Sequence, residues 1–102
     1  MHRVTIQYAV PEDPDAFDEH YFGQHVAFVA PVPGLQAFTW SKPRPLGGPP
    51  KVYLVAQLDF EDAAAMSTAL ASPEMQAAGA DAAQLGVPMT MFSGEVVQPA
   101  LG

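Results

Sequence analysis

Hydrophobic and polar residues alternate along four segments of the chain, and a period of two predicts β-strands with one buried face. The predicted strands run from Arg3 to Ala9, from Leu35 to Ser41, from Val52 to Phe60 and from Met89 to Val97. On the third strand every second residue from Val52 to Phe60 is apolar, whereas Tyr53 and Asp59 belong to a mixed face. The pattern therefore supplies a continuous apolar surface for helices to cover.

Two stretches between these strands carry apolar residues at helical spacing. Asp13-Pro14 predicts the start of a first helix, and Pro31 predicts its end near Ala30. The later stretch is predicted as two pieces, one capped by Glu61-Asp62 and one started by Ser72-Pro73-Glu74. The order β-α-β-β-α-β predicts an α+β, ferredoxin-like fold, in which the first helix and a split second helix cover one face of a four-stranded antiparallel sheet.

The opposite face of such a sheet would be open to water, yet the predicted strands carry apolar residues on both faces. Tyr53 with Val55, and Phe92 with Val96, are examples. Exposed apolar surface of this extent is typical of an interface, and the chain contains no internal repeat that could cover it. We therefore expect a homodimer in which two sheets pack face to face.

The length of 102 residues argues for one domain, expected over residues 1–98 and followed by a loose tail over residues 99–102. The 11 acidic residues outnumber the 4 basic residues, and the formal net charge is −7. Nucleic acids and anionic membrane surfaces attract basic proteins, so we expect neither as a partner. No Lys or Arg follows Lys51, so an anionic ligand could meet these cations only in the first half of the chain.

The chain contains no cysteine, which excludes disulfides, thiolate nucleophiles and cysteine-ligated metals and suits a cytoplasmic protein. The first residues lack the long apolar stretch of a signal peptide, and no apolar run approaches the roughly 18 residues of a membrane-spanning helix. The hydrophobic fraction of 49% is high for a small chain. This excess favours either a buried oligomer interface or an apolar pocket.

Five segments share an order and spacing with a known family. They are Asp15 to Val29, Pro33-Gly34-Leu35, Val55 to Phe60, Leu70 to Asp81 and Ser93 to Val96. Together they resemble the EthD-like family of the dimeric α+β barrel superfamily. Two positions depart from the family pattern, because Ala27 stands where Pro is common and Leu85 stands where an aromatic residue is common.

This resemblance implies a barrel formed by two chains, in agreement with the two-faced strands, and a small-molecule pocket near Ala27 and Leu85. The family includes a protein encoded beside an ether-degrading cytochrome P450 system, muconolactone methylisomerases and fungal polyketide dehydratases. The resemblance thus implies a small, mostly apolar ligand bound without a cofactor.

His25 is the principal candidate for chemistry, because imidazole gains and loses a proton near neutral pH. Tyr21 precedes it by one helical turn and could orient either His25 or a substrate oxygen. For both residues the alternative is a structural role in the core. His20 is expected on a more exposed flank of the helix, in contact with solvent. His20 and His25 are five residues apart rather than four, so their spacing does not predict a metal site, and we expect neither a metal nor a cofactor.

Six further residues are candidates for binding a substrate. They are Phe28, Trp40, Phe38, Gln7, Tyr53 and Arg3. The aromatic residues could line a pocket for a flat apolar ligand or pack in the dimer interface. The polar residues could orient a ligand, while Arg3 could meet a carboxylate or an enolate, or be an ordinary edge arginine.

Three functions are consistent with these observations. The first is a cofactor-free acid/base enzyme of the isomerase, dehydratase or cyclase type, acting through His25 on a small apolar carbonyl or lactone compound. The second is a non-catalytic carrier of a hydrophobic metabolite, accessory to a neighbouring oxidation or biosynthetic enzyme. The third is an interaction module whose sheet pairs only to form a dimer.

Overall fold

Four antiparallel strands form one sheet in the computed structural model, which describes residues 1–101. The strands are β1 (His2–Ala9), β2 (Ala37–Ser41), β3 (Val52–Phe60) and β4 (Met89–Glu95). Their spatial order is β2-β3-β1-β4, which confirms the predicted α+β, ferredoxin-like fold. Gly102, the last residue of the predicted tail, lies outside the described residues.

Helices cover one face of this sheet. They are α1 (Pro14–His20), α2 (Val26–Val29), α3 (Ala63–Leu70) and α4 (Pro73–Ala83), and a π-helical segment, Tyr21–His25, joins α1 to α2. The predicted helix starts are confirmed, because Asp13, Asp62 and Ser72 each accept a hydrogen bond from the amide three residues ahead. The predicted split of the second helix is also confirmed by the break between α3 and α4.

The π segment (Tyr21–His25) is a feature that the helical spacing did not predict. Its hydrogen bonds join residue i to residue i+5, which inserts one extra residue into the turn. The α-helical pattern resumes in α2, where the amide of Ala30 donates to the carbonyl of Val26. Because of the insertion, side chains that are five residues apart can lie on the same side of this helix.

The hydrophobic core lies between the helices and the covered face of the sheet. Its most deeply buried large side chains are Tyr8, Tyr21, Phe60, Leu54 and Leu58. The predicted apolar face of β3 is thereby confirmed. On α3, Ala69 is buried, whereas the neighbouring Leu70 is 39% exposed.

The opposite face of the sheet is uncovered in the single chain. Thr5 of β1 lies between Gln57 of β3 and Phe92 of β4 on this face. Phe92 is 50% exposed, so an aromatic ring on this face is open to water in the single chain. The single chain is thus a two-layer slab, with a shortest dimension of 18 Å.

Tyr53 lies on the helix-covered side of the sheet, although strict alternation along β3 predicts it on the uncovered face with Val55. The register between β1 and β3 shifts between Tyr8 and Ala9, and this β-bulge leaves Tyr53 without a partner on β1. Its ring then packs edge-on against Phe17 of α1, with ring centroids 5.4 Å apart. The prediction that Tyr53 lies on the uncovered face is therefore wrong, and the bulge is the reason.

The two edge strands are shorter than predicted. β2 begins at Ala37 rather than Leu35, and β4 ends at Glu95 rather than Val97. Backbone hydrogen bonds continue one residue beyond both ends, because the amide of Gln36 donates to the carbonyl of Asp59 and the amide of Val96 donates to the carbonyl of Met1.

Candidate functional site

A buried carboxylate joins two histidines between the first helix and α4. His25 Nδ1 lies 2.9 Å from Asp81 Oδ2, and His20 Nε2 lies 3.1 Å from Asp81 Oδ1. His25 and Asp81 are 3% and 6% exposed. A carboxylate can only accept hydrogen bonds, so each imidazole presents an N–H group to Asp81. The ring of His25 is thereby oriented through Nδ1, and Nε2 is left for other contacts.

The π segment explains how His20 and His25 reach the same carboxylate. In an α-helix, five residues correspond to a rotation that leaves two side chains about 140° apart. The inserted residue between His20 and His25 closes this angle. His20 is more exposed than His25, as expected, but it also contacts the carboxylate that orients His25, which the five-residue spacing did not predict. Insertions of this kind are frequent at functional sites.

Asp81 is the residue at this site that the sequence reasoning missed. The apolar stripe Met75, Ala78 and Ala82 indicates the inward face of α4, and Asp81 lies on that same face. A carboxylate three residues after one buried alanine and directly before another is the signal that could have identified it. Burial of a charged group requires partners, and His20 and His25 supply them.

His25 also forms part of the wall of an apolar crevice between the helices and the sheet. The crevice encloses about 50 Å³. Its lining residues are Ile6, Tyr8, His25, Val29, Leu58, Met75, Ala78, Gly79, Ala82, Met89 and Met91. This volume is well below the roughly 300 Å³ at which ordinary ligand pockets begin, so a ligand would require the walls to move.

Three methionines make such movement plausible. Met75 extends from α4, while Met89 and Met91 extend from the edge strand β4 and are 40% and 49% exposed. Methionine side chains are unbranched and repack readily around ligands of different shape. The crevice can therefore widen on the side of β4, where no helix covers the strand.

Tyr8 lines the crevice beside His25, and the sequence reasoning did not select it as a site residue. Its ring is 1% exposed, and its hydroxyl has no hydrogen-bond partner among the protein atoms of residues 1–101. Burial, and to a smaller extent the charge of Asp81, raises the pKa of Tyr8 to about 12. The hydroxyl thus stays protonated at neutral pH and remains a hydrogen-bond donor.

Tyr21 lies beside His25, as the sequence suggested. The centroids of the two rings are 5.1 Å apart, and Tyr21 stacks on Phe17 at 5.7 Å. Burial is the main cause that raises the pKa of Tyr21. Tyr21 therefore supports the ring of His25 by packing against it.

The other predicted aromatic residues lie away from His25. Phe28 is 40% exposed, and Trp40 is 48% exposed and packs on Phe22 at a centroid distance of 4.7 Å. Phe38 packs against the core beneath the helices. None of these three lines the crevice around His25.

The predicted polar residues also lie elsewhere. Gln7 and Arg3 are on the uncovered face of β1, and Arg3 Nε donates to Asp59 Oδ1 at 2.7 Å. That hydrogen bond raises the pKa of Arg3. The hydroxyl of Tyr53 donates to Asp18 Oδ1 at 2.9 Å, near the surface. The structure therefore brings together His25 and Tyr21, but not the six predicted binding residues.

His20 connects the site to the molecular surface. Its side chain is 22% exposed and lines an open groove of about 590 Å³ beside the ends of β1 and α4. Within residues 1–101, no group of three or more His, Cys, Asp or Glu residues is arranged to hold a metal ion. In the same part of the chain, no helix is both long and apolar enough to cross a membrane.

Residues 10–85 match the model of the EthD domain family. The chain belongs to the EthD family. A relative from Rhodococcus erythropolis, an uncharacterized 11.0 kDa protein of the thcB-thcC intergenic region, is 47% identical over 103 residues. That alignment covers 97% of this chain and 100% of the relative.

Solved structures agree with this assignment. An EthD-family protein from Bacillus halodurans C-125 superimposes with a TM-score of 0.84 at 31% identity, covering 95% of this chain and 99% of that one. SnoaB, a cofactor-independent oxygenase from Streptomyces nogalater, superimposes with a TM-score of 0.70 at 21% identity, covering 99% of this chain and 97% of SnoaB. A dimeric ferredoxin-like protein from Thermobifida fusca superimposes with a TM-score of 0.71 at 14% identity, covering 93% of this chain and 90% of that one. The last two share the fold with this EthD chain.

Proposed function

We propose that this EthD-family chain binds a small, apolar carbonyl or lactone compound in the crevice and transfers a proton on it through His25, without a cofactor. The observation that carries this proposal is the buried contact of 2.9 Å between His25 Nδ1 and Asp81 Oδ2 on the wall of an apolar crevice. A histidine oriented by a buried carboxylate is a common arrangement for a general base.

The reaction would proceed by removal of a proton from the carbon next to a carbonyl group. Asp81 holds the Nδ1–H tautomer of His25, so the lone pair of Nε2 accepts that proton while the C–H bonding electrons move toward the carbonyl oxygen. The imidazolium then returns the proton to a different carbon, which is an isomerisation, or to a departing hydroxyl group, which releases water. Positioned proton transfer of this kind contributes roughly 10²–10⁴-fold to rate.

The test is exchange of α-protons for deuterium in D₂O, followed by NMR on cyclohexanone and a small lactone. We expect the wild-type protein to accelerate exchange and His25→Ala to lose roughly 10²–10⁴-fold of that acceleration. His2→Ala, which removes a histidine from the start of β1, is the matched control and should behave as wild type. Equal exchange rates for wild type and His25→Ala, with both folded, would show that His25 is not the base.

The alternative is a non-catalytic carrier of a hydrophobic metabolite. The observation in its favour is the closed, methionine-lined state of the crevice, which suits a ligand held away from water. Binding of apolar carbonyl compounds without proton exchange, at an affinity that does not change between pH 5 and 8, would support the carrier and contradict the enzyme. Either function is consistent with the cytoplasmic location that we propose.

We also propose that two copies of the chain pair through their uncovered sheet faces. The exposed Phe92 on a face that no helix covers supports this proposal, as does the likeness to a fold described as dimeric in the Thermobifida fusca protein. Sedimentation at micromolar concentration should give the mass of two chains, and Phe92→Asp should shift it to one chain. A wild-type mass of one chain would contradict the dimer.

A further inference from the structure

We propose that Tyr8 binds the oxygen atom of the ligand, so that the crevice selects a neutral carbonyl group rather than a hydrocarbon or a carboxylate. This inference rests on the proposed binding of a ligand in the crevice and adds a second polar contact to it. His25 would face the proton that moves, and Tyr8 would face the oxygen on which negative charge develops.

The hydroxyl of Tyr8 is the unusual group of the core. It is buried, and the protein atoms of residues 1–101 offer it no hydrogen bond. Leaving a buried hydroxyl without a partner destabilises the folded state, and such groups in native proteins require an explanation. A phenylalanine could make the same ring contacts with Phe17 and Tyr21, whose centroids each lie 5.5 Å from that of Tyr8. The unpaired hydroxyl therefore indicates a partner that arrives from outside the chain.

The position of Tyr8 indicates where this partner lies. Tyr8 and His25 are both part of the crevice wall, one from β1 and the other from the first helix. A carbonyl compound between them can place its α-carbon toward His25 and its oxygen toward Tyr8. A hydrogen-bond donor aimed at a developing enolate oxygen stabilises the charge of the transition state in a water-poor site.

The charge of the surroundings limits the class of ligand. The residues that line the crevice include neither Lys nor Arg, and Asp81 lies directly behind His25. A carboxylate ligand would be buried without a cation and close to another carboxylate, which is costly. The raised pKa of Tyr8, to about 12, keeps a neutral donor available. A ketone, an enone or a lactone meets these conditions.

The first measurement is the stability of Tyr8→Phe without ligand. The substitution keeps the ring and removes the unpaired hydroxyl, so we expect the Tm to rise by roughly 4–8 °C. A lower Tm would mean that the hydroxyl is already satisfied in the free protein, and it would overturn the proposal.

The second measurement compares the binding of cyclohexanone and methylenecyclohexane, which have similar shapes and differ in the acceptor oxygen. In NMR titrations Tyr8→Phe should weaken cyclohexanone by about tenfold and leave methylenecyclohexane unchanged. Thr68→Val, which removes a hydroxyl that bonds the carbonyl of Ala64 in α3, is the control and should leave both affinities unchanged.

Two outcomes would overturn the role of Tyr8: equal changes in the two affinities, or failure of cyclohexanone to bind the wild-type protein. The outcome for the acid/base proposal is separate, because it depends on proton exchange rather than on binding. Selective loss of cyclohexanone binding in Tyr8→Phe, without any proton exchange by the wild type, would support the oxygen contact and assign the chain to the carriers.

Discussion

Asp81 and Asp18 occupy equivalent roles in two clusters that differ in burial. Asp81 accepts from His25 and His20 at 2.9 and 3.1 Å, and its side chain is 6% exposed. Asp18 accepts from the ammonium group of Lys42 at 2.6 Å and from the hydroxyl of Tyr53 at 2.9 Å, and its side chain is 31% exposed. Each carboxylate thus bridges two side chains, one cluster under the helix and the other at the surface.

The difference shows that contact geometry alone does not locate a functional site. Water screens the Asp18 cluster, so its charges can be replaced at little cost. The hydrogen bond to Asp18 raises the pKa of Lys42, which keeps that group charged and unsuited to proton exchange at neutral pH. The Asp81 cluster lies in apolar surroundings, where each polar group depends on its hydrogen-bond partners.

The largest expected effect is on stability when each carboxylate is removed. Asp81→Ala leaves the buried N–H of His25 without an acceptor, so we expect it to lower the free energy of unfolding by about 3 kcal/mol. Asp18→Ala should lower it by less than about 1 kcal/mol. Urea unfolding of both variants measures the two values, and similar losses would remove the distinction between the clusters.

The second effect concerns alkaline pH. Burial raises the pKa of Tyr8 in the folded state from its ordinary value of 10.0 to about 12, so the contribution of the protonated hydroxyl to the free energy of unfolding is complete below pH 10 and is lost as the pH rises toward 12. The shift corresponds to roughly 2–3 kcal/mol. Tyr8→Phe should reduce the loss, which unfolding measured between pH 9 and 12 would show. The charge of Asp81 contributes to the raised pKa of Tyr8, so Asp81→Asn should also reduce the loss of stability at alkaline pH, whereas Asp18→Asn should not. An unchanged alkaline profile in Tyr8→Phe would contradict this assignment.

The third effect tests the π segment, which carries His25 of the buried cluster. A Cβ added at Gly23 would meet no atom within 4 Å. Alanine loses less backbone freedom than glycine on forming a helix, so Gly23→Ala should raise the free energy of unfolding by about 0.5–1 kcal/mol. Thermal unfolding measures the gain, and NMR signals of His20 and His25 check that both still contact Asp81. A loss of stability would indicate that the turn requires glycine.

The smallest effect is the response to salt. A double-mutant cycle between Asp18 and Lys42 should give a coupling of about 0.5 kcal/mol at low ionic strength, and 1 M NaCl should reduce it toward zero. The coupling between His25 and Asp81 should change little, because buried groups are screened much less. A strong salt response of the second pair would mean that water reaches the buried cluster.

Local sequence signals predicted the elements well because their physics is local. Asp13, Asp62 and Ser72 cap helices through hydrogen bonds that span three residues. The apolar face of β3 follows from alternation within one strand. The same reasoning placed His25 beside Tyr21 on an inward-facing helix, and the structure places both there.

The positions of side chains next to an inserted residue could not be predicted from local patterns. The β-bulge moved Tyr53 to the other face of the sheet, and the π segment moved His20 toward Asp81. In both cases one extra residue changes the period on which the prediction rests. Favourable tertiary contacts, and not the local pattern, decide whether such an insertion is accepted.

The sequence by itself determined the order of strands and helices, the apolar inward face of β3 and the presence of a histidine on the inward side of the first helix. The tertiary structure alone decided that Asp81, which lies 56 residues from His25 along the chain, orients its ring. It also decided that the hydroxyl of Tyr8 is buried without a hydrogen-bond partner among residues 1–101. The reason is that burial and hydrogen bonding between distant segments arise from packing, which no spacing along one segment records.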